Sequence, residues 1–100
     1  MITCIITYDI DPFKRAEFIA YGEMWNQIIP RLGPNLLGYF APHEGSLTTG
    51  YGIYTCPSLA DYETYKHRLA DDEHGQAALA YAAREGFIRR EDRLFLKKVG

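Results

Sequence analysis

No apolar run in this sequence approaches the roughly 20 residues that a membrane-spanning helix needs, so a helical membrane span is excluded. Basic residues are not in surplus: 11 lysines and arginines stand against 13 acids, for a formal net charge of −2. Nucleic-acid binding draws on a basic excess that displaces counterions. Here the basic residues are interleaved with acids, as in Arg89-Arg90-Glu91-Asp92-Arg93, and a nucleic-acid partner is set aside. No basic leader precedes a long apolar segment, and a strand pattern begins at Ile2, so no secretory or transit peptide is expected. Cysteine is scarce. Cys4 and Cys56 lack Cys-x-x-Cys spacing, and the expectation is two small buried thiols in a reducing, cytoplasmic setting. A glycine-rich phosphate loop, a Ser/His/Asp order and a Cys/His motif are also missing. His67 and His74 lie two helical turns apart, too far to share one ion on a straight helix. No metal and no cofactor are therefore expected.

Aromatic residues, in contrast, are plentiful: eight tyrosines, five phenylalanines and the single tryptophan Trp25. A tyrosine ring packs against apolar neighbours while its hydroxyl reaches a polar group or water, so many tyrosines favour interfaces and pocket walls over a dry core. The 100 residues make one domain, residues 1–100, long enough to build a single core without disulfides or metals.

The order of structural signals is strand, helix, strand, strand, helix, strand. Ile2, Cys4, Ile6, Tyr8 and Ile10 alternate with Thr3, Ile5, Thr7 and Asp9, a period-two strand with one strongly apolar face. Asp11-Pro12 marks a helix start, since aspartate accepts from first-turn amides and proline tolerates the first helical position. The first helix is expected from Pro12 to Ile29, with Phe13, Ala16, Ala20, Met24 and Ile28 as its core stripe and Phe18, Tyr21, Trp25 and Ile29 as a second stripe beside it. Pro30 is expected to end it, and Gly33-Pro34-Asn35 to turn the chain. Leu36 to His43 reads as the second strand, with Leu37, Tyr39, Ala41 and His43 on one face. Leu47 to Cys56 reads as the third, with Gly50 and Gly52 beside Tyr54, leaving room for a bulge, a bulky neighbour or a bound molecule. Ser58 is placed to cap a second helix whose inward stripe holds Leu59, Tyr62, Tyr65 or Lys66, and Leu69. Asp71-Asp72-Glu73 breaks it, and a short alanine-rich helix is expected over Gly75 to Ala83. A last strand falls between Phe87 and Val99, with Leu94 and Leu96 on one face and Phe95 and Val99 on the other.

This pattern specifies an α+β domain, with both helices on one face of a four-stranded antiparallel sheet. The other face carries Ile5 and apolar neighbours, and an apolar patch of that size calls for a cover. A homodimer formed face to face is the simplest cover, burying about 800 Å² or more per subunit.

Several segments carry a resemblance. Ile28-Ile29-Pro30-Arg31-Leu32-Gly33, Leu36-Leu37-Gly38-Tyr39-Phe40, Pro42-His43-Glu44-Gly45, Pro57-Ser58-Leu59-Ala60 and Phe87-Ile88-x-Arg90-Glu91 follow in order along the chain. Together they resemble NIPSNAP-domain proteins, although Gly33-Pro34-Asn35 stands where a more glycine-rich turn belongs. The resemblance implies a ferredoxin-like βαββαβ subunit forming a dimeric α+β barrel. It implies little chemistry, because bacterial relatives are largely uncharacterised. The wider superfamily includes cofactor-independent monooxygenases, isomerases and haem-degrading enzymes, and fold alone transfers none of these activities. The Asn-Trp-His set of the haem enzymes does not map onto Trp25, Asn26 and His67.

The candidate site residues follow from residue type and position. His43, next to Glu44 at a strand end, is of a kind that moves protons near neutrality, and Tyr39 is its candidate catalytic companion. Trp25, Tyr21 and Tyr54 are placed to line a ligand cleft between helix and sheet. Arg31 at the helix end suits an anionic ligand, a pairing with Glu44, or a surface or subunit salt bridge. The function expected is the binding of a small hydrophobic or aromatic ligand, or of a protein partner. The competing expectation is a cofactor-independent monooxygenase or isomerase.

Overall fold

In a computed structural model describing residues 1–100, β1 (Ile2–Ile10) leads through a single 3-10 turn (Pro12–Lys14) into α1 (Arg15–Leu32). There follow β2 (Asn35–Phe40), β3 (Thr49–Cys56), α2 (Leu59–Ala70), α3 (Glu73–Glu85) and β4 (Ile88–Leu96). The strands form one antiparallel sheet in the order β2-β3-β1-β4. The helices lie on one of its faces. This is the ferredoxin-like α+β arrangement expected from the sequence, with a third helix of full length.

β1 sets the two faces. Ile2, Cys4, Ile6, Tyr8 and Ile10 are buried under the helices, while Thr3, Ile5 and Thr7 stay partly exposed on the opposite side. Cross-strand partners share a face. Tyr54, Gly52 and Gly50 therefore join the buried face from β3, opposite Cys4, Ile6 and Tyr8. Phe95, Arg93 and Glu91 join it from β4, opposite the same three residues. On the outer face, Leu94, Ile5 and Ile53 stand side by side across three strands, and Phe40 pairs with Tyr51.

The first helix departs from expectation in two ways. Its buried stripe is Phe18, Tyr21, Gly22, Trp25, Ile28, Ile29 and Leu32, whereas Phe13 is 93% exposed and Ala16 faces solvent. The aromatic stripe hides more apolar area than the alanine-bearing one, and Phe13 sits in the 3-10 turn, out of phase with the α-helix. Pro30 also lies inside α1 rather than ending it. Its missing N–H frees the carbonyl of Asn26, an exposed residue within reach of water. The helix stops instead at Gly33, whose φ of 129° favours glycine.

β2 is shorter than expected, and its register shifts between Leu36 and Gly38. This bulge breaks the simple alternation. Leu36 and Tyr39 both face the helices, opposite Tyr54 and Gly52, and Leu37 is exposed instead of sharing the face of Tyr39. Ala41 and His43 lie beyond the strand. Ser58 caps α2 as expected, accepting from the Asp61 amide. Asp72 likewise caps α3, accepting from the Gly75 amide, so that helix begins earlier and runs longer than Gly75 to Ala83. Leu59 is exposed, and Tyr65 is the buried residue of α2. Val99 lies past the end of β4 and is exposed rather than facing the core.

Candidate ligand cleft beneath the helices

A cleft of about 240 Å³ opens between the helices and the sheet. Its floor is the buried face of β1 and β3, through Ile6, Tyr8 and Tyr54; α1 contributes Tyr21, Trp25 and Ile29. Tyr39 enters from β2, Tyr62, Tyr65 and Lys66 from α2, and Glu91 with Arg93 from β4. Six of the eight tyrosines of the chain thus line one space.

Glycines make the slot for Tyr39. A Cβ at Gly52 would lie 2.7 Å from Tyr39 Cζ, and one at Gly22 would lie 2.9 Å from Tyr39 Cβ, both too close for a real side chain. Gly50 yields in the same way to the ring of Phe18. The room left on β3 is therefore filled by bulky neighbours that shape the cleft. The rings then lock edge to face: Tyr21 on Trp25 at 5.8 Å between centroids, Tyr8 on Phe18 at 5.2 Å, and Tyr62 on Phe95 at 4.5 Å.

The polar groups within this aromatic wall are phenol hydroxyls, which donate and accept, the Trp25 indole N–H and three charged side chains. The hydroxyls of Tyr8 and Tyr39 lie 2.9 Å apart. Tyr8 is 2% exposed, and either hydroxyl of the pair can donate, which leaves the proton of the other free. Trp25 is 4% exposed, and its indole N–H makes no well-formed hydrogen bond; the Tyr21 hydroxyl lies near enough to feel it, and that contact works against the rise of the Tyr21 pKa. Arg93 donates to Glu91 at 3.2 Å, both side chains being about a third exposed. Lys66 lies 5.5 Å from the centroid of the Tyr62 ring.

Burial decides the protonation of the phenols. Desolvation pushes Tyr21 up to about 12 and drives Tyr8, Tyr39, Tyr54 and Tyr65 higher still. At neutral pH these groups are hydrogen-bond donors and acceptors, and none is a phenolate base. Desolvation works against the charge of Arg93, but nearby Tyr54, Tyr62 and Glu91 outweigh it, and the guanidinium is held charged. Burial likewise raises the thiols of Cys4 and Cys56, which are free.

The structure thus brings Trp25, Tyr21, Tyr39 and Tyr54 together and leaves His43 and Arg31 apart. His43 is exposed on the segment after β2 and does not line the cleft. Arg31 forms a two-pronged ion pair with Asp72, at 2.7 and 2.9 Å, rather than pairing with Glu44. A wider groove of about 820 Å³ runs between α1 and α3, but its two arginines, Arg31 and Arg84, are already engaged by Asp72 and Glu85. The smaller cleft is the one with unsatisfied groups. Tyr8, Lys66, Glu91 and Arg93 were not singled out from the sequence. The alternation of β4 carries the signal for two of them, since Glu91 and Arg93 share the parity of the core residue Phe95.

The sequence model of the NIPSNAP family matches residues 3–100. A solved NIPSNAP family protein from Agrobacterium tumefaciens is 27% identical, with a TM-score of 0.81 over 98% of this chain and 92% of that one. A second from the same organism, described as having unknown function, is 21% identical, with a TM-score of 0.84 over 99% and 88% of the two chains. A putative antibiotic biosynthesis monooxygenase from Nitrosomonas europaea shares the fold at 13% identity, with a TM-score of 0.76 over 100% of both chains. No curated protein sequence matches the chain.

Proposed function

Since the chain belongs to the NIPSNAP family, whose solved members here carry no assigned activity, we propose its function from its own cleft: it binds a small, flat, largely apolar molecule between helix and sheet. The observation that carries this reading is the indole N–H of Trp25, buried on the cleft wall without a well-formed hydrogen bond. An unpaired buried donor costs about 1–3 kcal/mol, and a ligand oxygen placed there recovers it. Drug-sized ligands fill about 300–1,000 Å³, so a space of about 240 Å³ suits a molecule of one or two rings. Trp25 is the only tryptophan, which makes its fluorescence a direct reporter. Titration with small aromatic compounds is expected to quench it saturably. A scaffold whose aromatics serve packing alone would show no saturable change with any of them.

Two further features of the notional assembly rest on the same fold. The outer row of Leu94, Ile5 and Ile53 supports a homodimer with the sheets face to face; Leu94 alone is 55% exposed in the single chain. The two buried free thiols support a reducing compartment such as the cytoplasm.

A second reading, an enzyme of the cofactor-independent monooxygenase or isomerase kind, rests on the Tyr8–Tyr39 pair. When Tyr8 donates in this pair, Tyr39 keeps its own proton for a ligand oxygen. Such a donor steadies charge developing on an enolate. Tyr39→Phe separates the readings: it removes turnover if the chain is an enzyme, and only weakens binding if it is not.

A further inference from the structure

Resting on the ligand reading above, we propose that the cleft selects a small planar organic anion, of the aromatic or enolic carboxylate class, in preference to the neutral molecule of the same shape. Three charged side chains line the space: Lys66 and Arg93 against Glu91. Two cations and one anion leave the cleft with a local charge of +1, in a chain whose net charge is −2. Glu91 takes one N–H of Arg93 through a single 3.2 Å contact, with Tyr62 and Cys4 beside the guanidinium, so its charge is only partly offset by the one carboxylate. Lys66 has no carboxylate partner; its neighbour is the ring of Tyr62.

The neutral donors point the same way. The Trp25 N–H is a donor only, and the Tyr8–Tyr39 pair leaves one phenol proton free to be donated. A ligand that supplied donors of its own would find phenol oxygens but only one carboxylate, the already engaged Glu91, to receive them. Acceptor oxygens on the ligand match what the wall presents. The remaining lining is aromatic and aliphatic, which disfavours a compact, heavily hydrated anion such as phosphate and suits a single carboxylate on a flat apolar body. Arg93 also lies on β4, at the sheet edge, where an inward charge discourages pairing with another chain. That role predicts a different outcome from the anion site, namely a change in aggregation with no change in ligand preference.

The test uses calorimetric titration of the full chain with naphthoate and with naphthamide, which share a shape and differ in charge. Naphthoate is expected to bind about tenfold or more tightly than naphthamide, as a hydrogen-bonded charge contact implies. Arg93→Gln is expected to bring the ratio close to one, chiefly through weaker naphthoate binding. Lys66→Gln, on the exposed side of α2, provides a second variant should Arg93→Gln fold poorly, and is expected to reduce the ratio in the same sense. Equal binding of the two probes, or an acid preference that survives both substitutions, overturns the anion assignment and leaves the ligand cleft standing. If neither probe binds at millimolar concentration and Trp25 fluorescence responds to no aromatic compound, the ligand cleft and the anion assignment are both overturned.

Discussion

Tyr8 on β1 and Tyr39 on β2 share one hydrogen bond, 2.9 Å between hydroxyl oxygens, from strands that are not neighbours in the sheet. The contact reaches across β3 because β3 carries Gly52 where a side chain would block the Tyr39 ring. One hydroxyl pair thus joins the core strand to the edge strand through the candidate cleft. Tyr39→Phe is expected to lower stability by about 1 kcal/mol and to weaken ligands with oxygen acceptors. Tyr8→Phe is expected to lower stability by a similar amount. A double-mutant cycle in urea denaturation measures the pair, and additive effects would mean that the two hydroxyls do not interact.

The glycine that admits Tyr39 is equally open to test. Gly52→Ala places a methyl within 2.7 Å of the phenol ring, and the fold is expected to lose about 1–3 kcal/mol through overpacking. Urea denaturation reads the loss. Combining Gly52→Ala with Tyr39→Ala is expected to cost less than the sum of the two, because the second change removes the clash.

Alkaline pH is expected to unfold the protein through its buried phenols. Their folded pKa values lie above the ordinary value of 10.0, Tyr21 at about 12 and Tyr8, Tyr39 and Tyr54 beyond it. Groups raised on folding stabilise fully below the unfolded value. That stability is lost as pH rises past about 10 and through the folded values. Ultraviolet absorbance of phenolate and loss of circular dichroism should therefore rise together above pH about 10. Ionisation of all the cleft tyrosines near 10 with the fold intact would contradict their burial.

At the acid end the sign reverses. Arg31 pairing, aided by the Gly75 amide, holds Asp72 down to about 2 from its ordinary 3.8. The stabilisation is present above the unfolded value and fades as pH falls from about 4 through 2. Asp72→Asn keeps a capping side chain and removes the charge. Its melting temperature is expected to lie below that of the parent at neutral pH, with the gap closing toward pH 2. A gap that is constant across this range would assign the effect to the cap rather than to the ion pair.

The outer face of the sheet makes a prediction about mass. Sedimentation at micromolar concentration is expected to give about twice the 11.4 kDa of the chain. Leu94→Asp, at the β4 end of the exposed row, is expected to shift the species to monomer. A parent chain that sediments as a monomer would remove the reason for the row to be apolar.

The alternation of β1, the glycines of β3 and the cap at Ser58 are local signals, and they placed the sheet faces and the start of α2 from sequence alone. Period-two burial needs only the pleat, and a cap needs only its own next turn. The cleft was partly legible for the same reason: Trp25, Tyr21 and Tyr54 lie on the buried faces of elements whose periodicity is plain. Three things needed the tertiary structure. Which stripe of α1 turned inward depended on the area each hides against the sheet. The bulge at Leu36–Gly38 turned Tyr39 toward Gly52. The packing of α1 against α2 and α3 decided that Arg31 met Asp72, while Arg93, sequence-remote from every other candidate, met the aromatic cleft. These are contacts between distant segments, and no local propensity encodes the partner a side chain finds across the fold.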